Sequence, residues 1–421
     1  MNETWLAGGI FLITYAIIVS EKISRTVAAL LGGMAMILLG VVSQEQAFES
    51  VDWNVIFLLV GMMAIANILR ETGLFQWIAV QAVRLGKGQP MRILIILTLI
   101  TAVASALLDN VTIVVLVAPV TLLVASSLGV SPIPFLIAEI LASNIGGTAT
   151  LVGDPPNILI GSAANIDFVT FAANMAPISI IILLVFVGMS WLMFHAQLRN
   201  HEKKNLEIDA LDTSALITDK TLLWKSLIVL SGVILGFLTH RTFHLEPATI
   251  ALTGGTLLML WGRNDVHHIL RDVEWTTLFF FIGLFITVEA IVEVGIIAAA
   301  GEAALQLTGG SLPLTSMLLL WFSAVASGIV DNIPYTATMI PLVQSLGESM
   351  PIMPLWWSLA LGACLGGNST LVGAAANVVV ANLAETSGSS IGFKLFLKYG
   401  IPVTLVSLIF SSVYIWLRYL S

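Results

Sequence analysis

Two short polar stretches interrupt long apolar runs in this chain, and both are equipped to hold an ion. They are Asp109-Asn110-Val111-Thr112 and Asp331-Asn332-Ile333-Pro334. An ionisable side chain at membrane depth is costly unless it is paired or hydrated, so it marks a functional position by default. Asn offers a carbonyl oxygen to a cation and an NH₂ group to an anion. A buried Asp can also carry a proton, because desolvation disfavours its charged form. The same residues make good N-caps for a helix that turns back at this point, and the two roles are compatible.

A second pair of motifs offers different chemistry. Gly146-Gly147-Thr148-Ala149-Thr150 leads into Gly153-Asp154-Pro155-Pro156-Asn157. Two successive prolines cannot continue a helix interior, and they disfavour helical geometry at Asp154. A helix that restarts near Pro155 would aim free N–H groups and its positive end at mid-membrane, which suits an anion. The half-helix before the break would offer carbonyls to a cation. Asp154 is also placed to be an N-cap with Pro at the first helical position. The later motif matches Thr148 with Asn368, Thr150 with Thr370, Gly153 with Gly373 and Asn157 with Asn377; Ala374 stands at the place of Asp154, and Ser369 adds a hydroxyl. The asparagine kept in both copies is the better candidate for coordination.

Other intramembrane carboxylates carry less. Glu139 precedes the first break by one to two turns and is a candidate proton carrier beside Asp109 and Asp331. Glu289 is matched by Asn67, whereas Glu71 and Glu293 match each other near span ends. The six histidines fall at span ends or in loops with no metal spacing. Cys364 is the single cysteine, which excludes an intramolecular disulfide and a cysteine metal cluster. No cofactor is expected, and no metal beyond a transported Na⁺. Trp53, Trp191, Trp224, Trp275 and Trp416 read as interfacial anchors.

The elements that must position these residues are membrane spans. Of 421 residues, 58% are hydrophobic and 10% charged, with mean hydropathy +0.99. Soluble domains carry about 25% charge. A net charge of −8 dispersed in short loops leaves no basic face for nucleic acid. The first apolar stretch lacks a basic leader, so it reads as a retained span.

The motifs occur twice in one order. AVASALLDNVTIV (102–114) is echoed by AVASGIVDNIPYT (324–336), and VDWNVIFLLVG (51–61) by VEWTTLFFFIG (273–283). NIGGTATLVGDPPN (144–157) is echoed by LGGNSTLVGAAAN (365–377). The chain is thus expected to be an all-α polytopic membrane protein of two repeats, 1–195 and 222–421, joined by a cytoplasmic linker at 196–221. Each repeat is expected to hold three spans, a helical hairpin (93–127 and 312–347), a broken span (132–165 and 355–384) and a final span. Amphipathic segments at 75–86 and 295–308 precede the hairpins. Re-entrant hairpins give five crossings per repeat, so the repeats are inverted. With both termini outside, every Lys and Arg except Arg241 and Arg418 falls on the cytoplasmic side, as retention of basic residues requires.

These motifs resemble the ion transporter superfamily, on the branch of the arsenite permeases and pink-eyed-dilution (P) permeases, and more distantly the divalent anion:sodium symporters. LLDNVTIVVLVAPVT and ASNIGGTATLVGDPPNILIG carry the resemblance in the first half, VDNIPYTATMIPL and GGNSTLVGAAANVV in the second. The resemblance implies a secondary transporter of the cytoplasmic membrane, a homodimer, and elevator-type alternating access. An arsenite-type carrier would further imply an energising ATPase subunit. Carried over, Asp109, Asn110, Thr112, Gly153 and Asn157 form one half-site; Asn332, Thr336, Asn368, Gly373 and Asn377 form the other. The sodium–dicarboxylate carriers have Ser-Asn-Thr at the hairpin tips where this chain has aspartates. That difference opens proton coupling, with Asp109 or Asp331 neutralised during the cycle.

Two functions stand against each other on this reading. One is transport of a small anionic or hydroxylated solute (arsenite, antimonite or a carboxylate) coupled to H⁺ or Na⁺. The other is Na⁺/H⁺ antiport through the same residues. A tris-thiolate arsenic site is excluded by the single cysteine. An enzyme is not expected: an intramembrane aspartyl protease would need Gly-x-Gly-Asp, where the chain has Leu151-Val152-Gly153-Asp154.

Overall fold

The computed structural model describes residues 3–20, 22–198, 216–263 and 265–421, and over these it is built of helices. Most of the 196–221 connector lies outside the described residues. Nine described helices are long and apolar enough to cross a membrane.

The first half begins with α1 (Glu3–Ser20), α2 (Arg25–Leu38), the short α3 (Gln44–Glu49), α4 (Trp53–Glu71) and α5 (Leu74–Leu85). A hairpin follows, α6 (Pro90–Leu107) and α7 (Asn110–Leu128), then the broken helix α8 (Ile133–Gly147) and α9 (Pro155–Ala163), then α10 (Phe168–Leu198). The second half repeats this order as α11 (Lys220–Phe243), α12 (Pro247–Gly262), α13 (Val266–Arg271), α14 (Trp275–Glu293) and α15 (Ile296–Thr308). Its hairpin is α16 (Leu312–Val330) and α17 (Asn332–Gly347), its broken helix α18 (Met353–Gly366) and α19 (Ala375–Thr386), and its last helix α20 (Phe393–Ile415).

Local chemistry sets several boundaries. Asp52 caps α4, its Oδ1 accepting from the N–H of Asn54 (3.0 Å) and Val55 (3.2 Å). Ser43 and Gln46 form a capping box on α3. The pair α3 and α13 was not anticipated, because six residues hold too few apolar positions to show a helical period. Prolines recur inside matching helices, Pro119 with Pro341 and Pro177 with Pro402.

The halves pack through reciprocal exchange. Helix α2 lies against α14, and α4 against α12. A Cβ on Gly61 would land on the Ala251–Leu252 backbone, and one on Gly283 would land on the Ala29–Leu30 backbone. Both contacts are backbone against backbone, the close approach that small residues permit between membrane helices. These four helices form a frame. The hairpins and broken helices form a second body, in which α7 packs on α19 of the other repeat and α17 on α9. Every such contact has its counterpart with the repeats interchanged, as two inverted repeats require.

Trp53, Trp191, Trp224, Trp275 and Trp416 are exposed, as belt residues should be. Trp356 and Trp357 are not of that kind: they are fully buried on α18.

Candidate functional site

Both hairpin tips end against the breaks. The Asn110 N–H donates to Gly153 O at 3.1 Å, and the Asn332 N–H donates to Gly373 O at 3.1 Å. In hydrocarbon such irregular backbone must be satisfied by protein. Hydroxyls tie each hairpin to its break in parallel. Thr150 Oγ1 donates to Ala106 O (2.6 Å), and Thr370 Oγ1 to Gly328 O (2.5 Å). Ser105 Oγ donates to Ser143 O (2.7 Å), and Ser327 Oγ to Ala363 O (2.6 Å). A Cβ on Gly153 would sit 2.6 Å from Gly147 O, so glycine is required for the strands of the break to approach.

Asn157 and Asn377 hold the breaks closed. Asn157 donates to Gly147 O (3.0 Å) and Thr150 O (2.9 Å); Asn377 donates to Gly367 O (2.7 Å) and Thr370 O (2.9 Å). Their Oδ1 atoms accept from the opposite repeat, Asn157 from the Cys364 thiol (3.2 Å) and Asn377 from Asn144 Nδ2 (3.0 Å). The two asparagines singled out for coordination thus have both donors and Oδ1 engaged by protein.

Asn144 is the residue that sequence reasoning missed. Its Nδ2 donates to Asn368 Oδ1 (2.9 Å) as well as Asn377, and its Oδ1 accepts from Asn110 Nδ2 (3.0 Å). One amide therefore links the first hairpin tip to the second break. It lay inside the echoed string, but the aligned residue is Cys364, so a search for polar residues kept in both copies passes over it. Asn368 Nδ2 donates in turn to Leu141 O (3.2 Å). Thr148 and Thr336 spend their hydroxyls on their own helices, at Asn144 O and Asn332 O, both 2.7 Å. Ser369 sits half-buried at the rim of the second break.

Asp154 does not cap α9. Its carboxylate reaches across to Asn332 Nδ2, at 3.2 and 3.4 Å. Asp109 and Asp331 both lie within electrostatic reach of it. Asp109 accepts from its own helix, from the Thr112 N–H (2.9 Å) and the Thr112 hydroxyl. Asp331 accepts from the Ile333 N–H (3.0 Å) and from the Arg25 guanidinium (2.9 Å). Arg25 is the second missed residue. It stacks on Phe280, 5.6 Å from the ring centroid, and Glu274 lies near it. Its sequence signal was only that of a charge at a span end.

Asn110 Oδ1 is buried with no partner, an orphan acceptor at the first tip. Glu139 is also buried, accepting from Thr121 Oγ1 at 2.5 Å. It lies on the α7–α8 seam, about three turns from Asn110 along the hairpin arm, so the structure does not bring it to the tips. No cluster of His, Cys, Asp and Glu among the described residues could hold a metal ion.

Two of the cavities lie at opposite ends of α4. A cavity of about 60 Å³ lies between Thr112 on α7 and Asn67, Arg70 and Glu274 at one end of α4 and α14. A cavity of about 380 Å³ lies at the other end of α4, between Asn54, Ser162, Arg241 and Pro247. Beside it Arg241 pairs with Asp167 at 3.0 Å. Partial burial alone would push the Asp167 carboxyl up, but the bonds from Thr170 and the Arg241 charge outweigh it and hold the group below its usual range.

Comparison with known proteins agrees with this architecture. The profile of a family described as citrate transporter (CitMHS) matches residues 15–362. An uncharacterized transporter of Mycobacterium tuberculosis is 45% identical over 419 residues, spanning 97% of each chain. The human P protein is 35% identical over 492 residues, covering 96% of this chain and 59% of its own length. The YdaH transporter of Alcanivorax borkumensis shares the fold, with TM-score 0.60 at 15% identity over 99% of this chain and 98% of that one.

Proposed function

The chain belongs to the citrate transporter family and is a multi-pass membrane transporter; from that premise we propose that it is a secondary active carrier of a small carboxylate or oxyanion coupled to H⁺ or Na⁺. One observation carries this reading. Asp109, Asp154 and Asp331 converge where the two tips meet the breaks, with Arg25 the guanidinium bonded among them. Three carboxylates against one guanidinium repel an anion unless cations or protons arrive with it. Coupling is then a condition of binding and not an accessory to it. The orphan Asn110 Oδ1 supplies a neutral acceptor suited to a cation.

Alternating access follows from the uneven placement of the tips. Tip one lies by Asn67 and Glu274, and tip two by Arg25 and Phe280, so both occupy one end of the frame. The opposite end holds the cavity of about 380 Å³. Exchanging the conformations of the two repeats would carry both tips to that end. Retention of basic residues supports a cytoplasmic assignment for the Arg25 end, with both termini outside. The homodimer stays a proposal by resemblance.

The same excess of negative charge favours Na⁺/H⁺ exchange as the second reading. Flux in proteoliposomes with imposed Na⁺ and H⁺ gradients decides. Citrate is the first probe, followed by other carboxylates, arsenite and antimonite. Solute uptake driven by one gradient is expected and names the coupling ion. Sodium-dependent proton movement with no solute present would replace the carrier reading with the exchanger.

A further inference from the structure

The two hairpin tips differ in one respect that duplication does not predict. Between α6 and α7 the chain turns on Leu108 and Asp109, whereas between α16 and α17 it turns on Asp331 alone. The tighter turn forces Asp331 to φ 87°, ψ 141°, while Asp109 rests at φ −67°, ψ 149°. A non-glycine residue at such a positive φ is strained and persists only where its surroundings hold it. What holds it here is the Gly373 carbonyl on Asn332 N–H, and the Arg25 guanidinium on its carboxylate. The residue 222 positions after Arg25 is Pro247, which lines the cavity of about 380 Å³ at the other end of the frame. No cation stands at that matched position.

We infer that Arg25 is a one-sided positioning residue, which pins the second hairpin tip to the frame through Asp331 in one end state and has no equivalent in the other. The inference rests on the alternating-access reading above. Neutralising Asp331, by a proton or a bound cation, removes the ion pair between the tip and Arg25 and lets the strained tip relax toward the geometry of Asp109, leaving Arg25 on Phe280 and near Glu274. The groups that face Asp331 are Arg25 from α2, the Ile333 N–H from α17 and Asp154 before α9; Glu274 before α14 faces Arg25. Both acidic neighbours favour uptake of positive charge at this point, so release is tied to cation or proton arrival.

The test reads the cavity of about 380 Å³ directly. Ser162, half-buried on its wall, is changed to Cys, with the fully buried Cys364 as background, and the protein is placed in nanodiscs that expose both faces. Labelling by a soluble maleimide reports the open cavity. Arg25→Gln is expected to slow labelling about fivefold at neutral pH, the population shift that loss of one partly exposed ion pair would give. Arg25→Lys should restore most of the rate. On this inference a protonated Asp331 no longer holds Arg25 as an ion pair, so the ratio of unsubstituted to Arg25→Gln rates should fall toward one in acid. A structural role alone would not move that ratio with pH. If Arg25→Gln does not fold, Arg25→Met, which keeps an apolar stem against Phe280 and drops the charge, decides, with the same slowing expected. Equal labelling of the uncharged variant and parent at every pH, or a fivefold loss in Arg25→Lys, overturns the inference. Flux measured on the same samples keeps the two questions apart. Normal cation-driven uptake with unchanged labelling defeats the role of Arg25 alone, and absence of uptake defeats the carrier reading alone.

Discussion

The first and second breaks have one skeleton and different chemistry. Both are closed by an asparagine on two carbonyls, fastened to a hairpin by a threonine and a serine, and met by an asparagine N–H from a tip. Yet Asn144 and Asp154 in the first stand where the second has Cys364 and Ala374. Bonds that build the scaffold are kept in both copies. The carboxylate at the breaks stands in the first copy alone, at Asp154, while groups that join the copies have diverged in both, Asn144 in the first and Cys364 and Asn368 in the second. Duplication supplied the frame of the site, and divergence of each copy supplied its polarity.

The most severe way to break that comparison is to attack what the copies share. Gly146→Ala and Gly366→Ala would each drive a methyl into the backbone of the preceding hairpin arm, at Ala102 and Ala324. Backbone cannot yield as a side chain can, so each should cost about 3 kcal/mol or more and lower the thermal midpoint in detergent. Full stability in either would mean that α6–α8 and α16–α18 are not as close as described.

The comparison sharpens at Asn144 and Cys364. Asn144→Ala strands three partners and should cost about 2 kcal/mol, with a loss of transport to match. Cys364→Ala removes one weak thiol donor, shared between Asn157 and Asp154, and should cost less than about 1 kcal/mol. Equal effects would erase the asymmetry. Asn110→Ala belongs with Asn144→Ala, since it removes both the orphan acceptor and the bond to Asn144.

The aspartates should differ in kind. Asp331→Asn is expected to flatten the pH profile of transport with little change in apparent affinity. The unsubstituted carrier at acid pH should behave as this variant does at every pH. Asp109→Asn, whose carboxylate faces its own helix, should alter the profile less. An unchanged profile in Asp331→Asn removes that residue as proton carrier. The smallest effect is expected at Arg241→Gln. Its exposed pair with Asp167 should contribute under about 0.5 kcal/mol, present at neutral pH and lost as pH falls through the depressed Asp167 titration.

Much of the site was legible because polar residues in apolar runs are conspicuous. The hairpin tips, both breaks and the duplication all announce themselves in that way. What escaped depended on relations that no local pattern encodes. Asn144 matters because the second break folds against it. Arg25 matters because α2 is carried to the opposite repeat by its packing on α14. Asp331 differs from Asp109 through one residue of turn length, which an alignment of the motifs hides. The reach of Asp154 to Asn332, in place of an N-cap, is likewise a contact between copies.

The interleaving of α2 with α14 and α4 with α12 has a consequence for how the chain is made. Helix α2 leaves the ribosome roughly 240 residues before its partner α14 begins. At about 5–20 residues per second, that interval is on the order of 10–50 s. Throughout it the small-residue stripes of the first half face lipid, and its hairpin has no opposite break to meet. The first repeat therefore enters the bilayer before the partners that α14 and α12 supply to its α2 and α4 exist.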